Sequence, residues 1–263
     1  EILRNILCVA ASRGKEKIIF VEESDKKIKK KTLSTYITTR NEFKRFNMSQ
    51  MFDFKYKEDV EHCFNQLKVL KMELNDKNVI EINNKDELID LSPCIGIYQE
   101  AVFFENYDID DAILRNLMFK NQESKYSKEE RLQSLDEKIL LLTSLETNQK
   151  RYREQVIIPF VTEEQREQIV TRIQSQFKSD EDAQVECELH FAIQESGGVS
   201  FSAKGYADVV VDNTVYELKF VSELTHEHFL QCACYMVALK LKKGILWNTR
   251  DNLMYQIEIP NEQ

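Results

Sequence analysis

The stretch that decides the fold runs from residue 205 to residue 220, GYADVVVDNTVYELKF. Apolar residues predominate in 206–212 and 214–220, and the turn between these segments holds Asp212-Asn213, a pair typical of a tight turn. The pattern predicts two short strands joined as a hairpin. Because side chains two apart share one face of a strand, Glu217 and Lys219 are expected on the same face. The hairpin brings Asp208 beside Glu217.

This arrangement predicts a particular chemistry. Two carboxylates on one sheet face offer the hard oxygen ligands that suit Mg²⁺ or Mn²⁺. Such an ion polarises a phosphodiester and makes water more acidic, and a neighbouring lysine can orient that water or offset developing charge. Acid-x-Lys triplets also occur at 42–44, 53–55 and 136–138, but without the flanking apolar strands. An ordinary hairpin with an exposed charge pair is the alternative, and it is disfavoured because inward charges on apolar strands are costly.

The elements around the hairpin predict its architecture. Residues 184–193 alternate polar and apolar side chains, which predicts a preceding strand, and 244–249 with 253–259 predict a last hairpin. Helices are predicted at 58–71, 92–104, 108–119, 126–146 and 225–242, and from a capping box at Thr162–Gln165 to about residue 178. The order favours an α/β fold with a mixed central sheet flanked by helices, preceded by a helical N-terminal extension.

Composition limits the classes of function. The 263 residues carry a net charge of −9, although residues 1–60 hold 14 Lys/Arg against 9 Asp/Glu. Any nucleic-acid groove is therefore local, and the basic run at 26–31 predicts a solvated loop, with a nucleic-acid contact or nuclear signal as the alternative. With no apolar run of 18 residues and no signal peptide, we expect an intracellular protein, cytoplasmic or nuclear, without a membrane partner. The six scattered cysteines predict reduced thiols.

The helix after the hairpin carries a resemblance. Gln231 and Tyr235 are four apart and share a helix face. The succession G-x-x-D, E-x-K and Q-x-x-x-Y resembles the RecB-like branch of the PD-(D/E)xK nucleases, well over 184–250 and loosely over 92–183. The resemblance implies a restriction-endonuclease-like core that uses Mg²⁺ or Mn²⁺. Asp208 and Glu217 look like its metal ligands, Lys219 like its catalytic lysine, and the Gln/Tyr pair like the helix motif near the substrate strand.

Three acids compete for the remaining place in that resemblance. Glu186 is similar to an acid often found on the preceding strand and is assigned here to the metal, while Glu188 and Glu100 stay open as alternatives. In the family a His often sits four residues after the glycine of the first helix, and this chain has Glu100 four residues after Gly96. His226 and His228 are expected at the surface of a helix start, with a phosphate contact as the alternative.

The N-terminus carries a second resemblance. Residues 5–21, NILCVAASRGKEKIIFV, are similar to the last conserved motif of superfamily 1 helicases, in which Arg13 would reach the γ-phosphate of a nucleotide. No GxxxxGK[ST] occurs, so the chain is not expected to bind ATP in that manner alone. Since it also starts without Met, we expect a piece of a longer protein. Residues 1–91 are predicted as helicase remnant and linker, and 92–263 as nuclease domain with a helical insert at about 107–160.

The two resemblances together imply a function. It is metal-dependent hydrolysis of phosphodiester bonds in DNA, as the C-terminal part of a helicase–nuclease, with exonuclease action expected and endonuclease action left open. The implied partners are a DNA single strand or duplex end, with RNA as a further substrate, and a helicase portion in the same or a partner chain. The alternative is a catalytically inactive nuclease fold that binds nucleic acid or protein.

Overall fold

The computed structural model describes residues 45–48, 57–82, 89–119, 134–193 and 199–260. The basic run at 26–31 and the helicase-like motif with Arg13 lie outside the described residues. The chain divides into two compact units, one of residues 1–46 with 190–202 and the other of residues 47–189 with 203–263. The second unit contains the predicted site.

The described residues form seven helices and seven strands. The helices are α1 (Lys57–Phe64), α2 (Ser92–Phe103), α3 (Ile109–Phe119), α4 (Leu135–Thr147), α5 (Arg151–Gln155), α6 (Glu163–Gln174) and α7 (His226–Leu239). The strands are β1 (Arg45–Asn47), β2 (Lys68–Met72), β3 (Asp182–Ile193), β4 (Val199–Val211), β5 (Thr214–Lys219), β6 (Lys243–Asn248) and β7 (Leu253–Glu258).

The second unit is built on a mixed sheet of six strands in the order β3, β4, β5, β6, β7, β2. β5 and β6 are parallel and are joined through α7, whereas β4–β5, β6–β7 and β7–β2 are antiparallel pairs. A parallel pair needs a crossover connection, and the helix predicted between the two strands supplies it. The predicted α/β fold with a mixed central sheet is confirmed, and it is consistent with a restriction-endonuclease-like core.

Helices cover both faces of this sheet. On one face, Leu218 and Trp247 join the main hydrophobic core with apolar residues of α2, α3, α4 and α6. On the other face lies α7, whose Cys232 and Met236 side chains come so close to Gly244 that an added Cβ would collide with them. Because successive side chains of a strand alternate between faces, each residue of β5 and β6 is thereby assigned to one helix layer.

The segment 58–71, predicted as a single helix, forms a shorter helix followed by a strand. Residues 58–71 have apolar side chains at helical spacing, yet α1 ends at Phe64 and β2 begins at Lys68. β2 pairs along β7, with an ion pair of 2.7 Å between Lys68 and Glu258. Backbone pairing at the sheet edge therefore outweighs the local pattern. Residues 68–72, which precede the predicted domain boundary at 91, form the edge strand of this sheet.

The capping signals were more reliable than the predicted helix ends. The capping box at Thr162 and Gln165 is confirmed at the start of α6, although that helix ends at Gln174 and not at about residue 178. A second capping box, at Ser134 and Glu137, begins α4 at Leu135. The predicted helix at 126–146 is thus confirmed only from 135, because 126–133 lie outside the described residues.

Candidate active site

The site begins with an irregularity in β4. An added Cβ at Gly205 would lie 2.6 Å from a side chain of α7, and Tyr206 faces the opposite layer, where the Arg115 guanidinium lies 3.9 Å from its ring centroid. Val209 belongs to the core of that opposite layer too. In a regular strand residues 205 and 209 share a face, so the alternation shifts by one residue between Tyr206 and Val209.

Asp208 lies within this irregular part of β4, and its carboxylate pairs with a backbone N–H of β5. The described β4–β5 ladder runs from Val211↔Thr214 to Val209↔Tyr216. The next backbone donor, the N–H of Leu218, donates instead to Asp208 Oδ2 at 2.7 Å. Asp208 is buried. The carboxylate thus takes the place of a ladder carbonyl and is fixed at the point where the two strands separate.

Glu217 and Lys219 lie together on β5, as their spacing predicts. Lys219 Nζ donates to Glu217 Oε1 at 2.6 Å. The Glu217 carboxylate is fully buried, and among the described residues its other oxygen, Oε2, has no hydrogen-bond partner. A buried carboxylate oxygen without a hydrogen-bond partner raises the free energy of the folded state. A cation or a hydrogen-bond donor beside this oxygen would therefore be favourable.

Glu100 approaches the same cluster from α2. It is buried, and the side chain of Gln184 donates to its Oε2. Gln184 lies in β3 with a positive φ of 53°, a conformation uncommon outside glycine and asparagine. Burial, and next the charge of Asp208, raise the pKa of Glu100 well above its ordinary value. The structure therefore places Glu100 in electrostatic contact with the Asp208 and Glu217 carboxylates.

Glu186 lies in a different environment. It is exposed, and its carboxylate accepts hydrogen bonds from Lys204 Nζ at 2.6 Å and from the Tyr206 hydroxyl at 3.1 Å. The hydrogen bond from Lys204 lowers the pKa of Glu186. Glu188 is half-buried on the same strand. Of the three acids that the sequence left open, Glu100 is the one whose charge acts on the buried cluster.

The electrostatics of the cluster show an excess of negative charge. Burial, and next the charge of Asp208, raise the pKa of Glu217 to about 8. Burial also raises the pKa of Asp208, against the opposing effects of Lys219 and the Leu218 N–H. Burial alone would lower the pKa of Lys219, but the Glu217 and Asp208 carboxylates outweigh it and raise that pKa. One lysine faces three acids, so a further cation would stabilise the ionised carboxylates.

One face of α7 turns toward this cluster. Gln231 Nε2 donates to the Tyr235 hydroxyl at 3.0 Å, and the buried Tyr235 has its pKa raised by burial and then by the charge of Glu217. His228, one turn before Gln231, has its pKa lowered to about 4 by burial and by Lys219. His226 stacks instead on Phe64 of α1 with ring centroids 3.9 Å apart. α7 therefore brings 228, 231 and 235 to the site on one helical stripe.

Comparison with known proteins agrees with this geometry. Residues 173–258 match the family model of the PD-(D/E)XK nuclease superfamily. The match supports a PD-(D/E)XK nuclease domain. The matched segment contains β3 to β7 and α7, and hence Asp208, Glu217, Lys219 and the Gln231–Tyr235 pair. Glu100 lies outside it.

Other comparisons are more distant. No curated protein matches the chain. A solved structure titled "Crystal structure of SSO0001" is 16% identical to it, with 64% of this chain and 76% of that chain covered and a TM-score of 0.32. Among the described residues, no helix has the length and apolarity needed to span a membrane.

Several polar residues around the site gave no signal in the sequence. Gln99, Arg172 and Thr249 are buried; Gln99 and Arg172 both contact Thr249, and Thr249 contacts the Lys219 carbonyl at the end of β5. Gln99 and Glu100 are adjacent polar residues in an otherwise apolar α2, and the place of Glu100 four residues after Gly96 is the signal in the sequence that points to this helix. The hydrogen bond from Arg172 to the Thr249 carbonyl spans 77 positions of sequence, and the one between Thr249 and Gln99 spans 150, distances that no local pattern reveals.

Proposed function

We propose that this chain is a divalent-metal-dependent nuclease that hydrolyses phosphodiester bonds of DNA at the cluster of Asp208, Glu217, Lys219 and Glu100. The observation that carries the proposal is the buried Glu217 carboxylate, which has Lys219 on one oxygen and, within the described part of the chain, no partner on the other. Together with the superfamily match, this supports a catalytic centre over a structural charge pair, which would have both oxygens satisfied.

The residues fit a magnesium or manganese ion. Glu217 Oε2 and the Asp208 carboxylate offer hard oxygen ligands, and Glu100 is near enough to act on both by its charge. Within the described ranges no three His, Cys, Asp or Glu side chains form a ready metal cage. This agrees with the habit of Mg²⁺, which takes one or two carboxylates and completes its shell with water and substrate phosphate. When bound, such an ion polarises the phosphoryl group and makes water more acidic.

The chain's own residues supply the remaining parts of the reaction. Asp208 is held in place by the Leu218 N–H, so its carboxylate needs little reorganisation during the reaction. The Lys219 ammonium, with 20% of its side chain exposed, offers a fixed positive charge for the phosphorane-like transition state or for orienting the attacking water. Gln231 and Tyr235 contribute polar groups that position the substrate strand.

A connection to a helicase forms part of the same proposal. One support is the N-terminal resemblance to a helicase motif that contains Arg13. The other is the resemblance to the RecB-like branch, in which a nuclease domain joined behind a helicase is a familiar arrangement. Because the chain has no phosphate loop, it should show no DNA-stimulated ATP turnover by itself. ATP turnover that disappears in Arg13→Ala would contradict this part.

The test of the nuclease is direct. The purified chain is incubated with labelled single-stranded DNA, duplex DNA and RNA, with Mg²⁺ or Mn²⁺ and in parallel with EDTA. We expect cleavage of DNA with either metal and none in EDTA. Cleavage that persists in EDTA contradicts the metal requirement. If no substrate is cut under any condition, the chain is instead a binding module built on a nuclease fold.

A further inference from the structure

Lys219, the proposed catalytic lysine, lies at the very end of the β5–β6 strand pairing. Lys219 is the last residue of β5 and pairs with Asn248, the last residue of β6. Strand ends are prone to fray, because beyond them the backbone groups have no ladder partners. A lysine whose ammonium must stay against Glu217 therefore needs a second support after the ladder ends.

The side chains of Asn248 and Thr249 supply that support. Thr249 N donates to the Lys219 carbonyl at 2.8 Å, and its hydroxyl lies 3.0 Å from the same oxygen. The Asn248 amide imitates a peptide group, since Nδ2 donates to the Val221 carbonyl at 2.8 Å and Oδ1 accepts from the Val221 N–H at 3.3 Å. Both side chains are almost fully buried. They extend the β5–β6 ladder by two residues without a strand.

This extension is itself fixed from two directions. The Arg172 guanidinium of α6 donates to the Thr249 carbonyl at 2.7 Å. The side-chain amide of Gln99, next to Glu100 on α2, contacts the Thr249 hydroxyl at 2.6 Å. That hydroxyl lies within hydrogen-bond distance of two acceptors, the Gln99 amide oxygen and the Lys219 carbonyl, while Gln99 Nε2 has no partner among the described residues. Exchanging the amide N and O of Gln99 lets Nε2 donate to the hydroxyl and leaves the hydroxyl hydrogen for the Lys219 carbonyl.

We propose that Asn248 and Thr249 are positioning residues for Lys219, which hold the end of β5 so that the lysine ammonium stays against Glu217. The proposal rests on the proposed function for its catalytic consequence. The hydroxyl of Thr249 constrains the peptide that follows Lys219, and thereby the direction in which the lysine leaves the strand. A displacement of the order of 1 Å at a catalytic group can cost about 100-fold in rate.

The test compares Thr249→Val with Thr249→Ser. Valine matches threonine in shape and keeps the backbone N–H bond to Lys219, but it lacks the hydroxyl, whereas serine keeps the hydroxyl. We expect Thr249→Val to lower kcat for DNA cleavage by about 10-fold or more with KM little changed. Thr249→Ser should stay within about twofold of wild type, since it retains the positioning bond. A normal kcat in Thr249→Val, or equal losses in both variants, would overturn the proposal.

A second readout does not depend on activity. In protein labelled with ¹³C-lysine, the Cε–Hε signal of Lys219 is assigned by its loss in Lys219→Ala. It should move or broaden in Thr249→Val and remain in place in Thr249→Ser. If the wild type cuts no nucleic acid but the signal behaves in this way, the positioning stands and the proposed function fails. A Lys219 signal unchanged by Thr249→Val overturns the positioning whatever the activity.

Discussion

At the scale of single residues, the site is a cluster of buried charges in which, among the described residues, one carboxylate oxygen has no hydrogen-bond partner. Asp208 and Glu217 each have one oxygen fixed, by the Leu218 N–H and by Lys219. Glu100 adds a third buried acid, with Gln184 as its partner. An ordinary core would not keep such a cluster, because burying a charge without full compensation costs several kcal/mol, roughly, per group. The excess charge is therefore consistent with a site kept for chemistry.

The first prediction concerns Gln231. It is half-buried, and its side-chain amide donates a hydrogen bond to the hydroxyl of the buried Tyr235. We expect Gln231→Ala to lower the rate of DNA cleavage by about 10-fold or more, because a polar group at the substrate face is removed. Thermal stability should change little, by about 1 kcal/mol or less, since one part-buried hydrogen bond is lost.

Cleavage rate and melting temperature are measured on the same preparation. Val237→Ala serves as the matched control, because that side chain is 53% exposed on the same helix. A Gln231→Ala variant that melts much earlier and cuts normally would make Gln231 a structural residue.

Much of this residue set was predictable. Asp208, Glu217 and Lys219 were chosen from strand spacing, and the structure brings them together with Gln231 and Tyr235, although their roles stay predictions. The sequence did not decide which acid accompanies Asp208 and Glu217, because Glu100, Glu186 and Glu188 all lie on elements predicted near the site. Only the folded chain brings Glu100 of α2 near Asp208 of β4. Glu186 illustrates the difficulty, since its alternation looked suitable while Lys204 and Tyr206 pair with it instead.

At the scale of elements, the fold places its site where three regular patterns stop. β4 changes its alternation around Asp208, β5 ends at Lys219, and α7 begins at His226. Where regular structure is interrupted or ends, backbone and side-chain polar groups are not used in strand pairing. Such groups are available to contact a substrate. Strand periodicity predicted β3, β5, β6 and β7 to within two residues at each end, but β4 begins at Val199 and not at 206. It could not predict β2, because residues 68–72 adopt a strand only by pairing with β7 across most of the chain.

The second prediction concerns the start of α7. His228 Nδ1 accepts a hydrogen bond from the Thr225 N–H at 3.0 Å, the place that Glu or Gln takes in a capping box. Its pKa is lowered to about 4 by burial and by Lys219 of β5, with Glu227 opposing. The unfolded chain takes up this proton near pH 6.5 and the folded chain only near 4. The stability from neutral His228 is thus complete above pH 6.5 and is lost as pH falls from 6.5 toward 4.

His228→Gln keeps the acceptor and removes the titration. We expect the melting temperature of wild type to fall more steeply than that of His228→Gln between pH 6.5 and 4, measured by thermal unfolding over this range. Parallel curves for the two proteins would show that His228 titrates normally in the folded chain.

At the scale of the whole molecule, a few buried polar contacts join elements that are distant in sequence. Arg172 of α6 donates to the carbonyls of Thr249, Arg250 and Asn78 and to the carboxylate of Asp76. It thereby ties the β6–β7 turn to the segment after β2. No local sequence pattern encodes these contacts. The sequence therefore predicted the helices and the sheet of the second unit, but not the buried hydrogen bonds that join them.

The third prediction follows from this tie. Arg172→Met leaves buried carbonyls without a donor, and each such group costs about 1–3 kcal/mol. We expect the free energy of unfolding, measured by urea denaturation, to fall by about 2–4 kcal/mol. Arg166→Met on the same helix is the control, because its ion pair with Glu163 is exposed at the surface and should contribute about 0–1 kcal/mol. Equal effects of the two substitutions would contradict the role given to Arg172.

We propose that Asp208 and Glu217 bind a divalent ion while Lys219 acts in catalysis without binding it. The most direct measurement is a Mn²⁺ titration of wild type, Asp208→Asn and Lys219→Ala, followed by calorimetry, on preparations whose DNA cleavage is also assayed. Both variants should be nearly inactive. Asp208→Asn should bind Mn²⁺ about 10-fold or more weakly, because a charged hard ligand is lost, and Lys219→Ala should bind it at least as well as wild type. Wild-type affinity in Asp208→Asn, or full cleavage by Lys219→Ala, would contradict the claim.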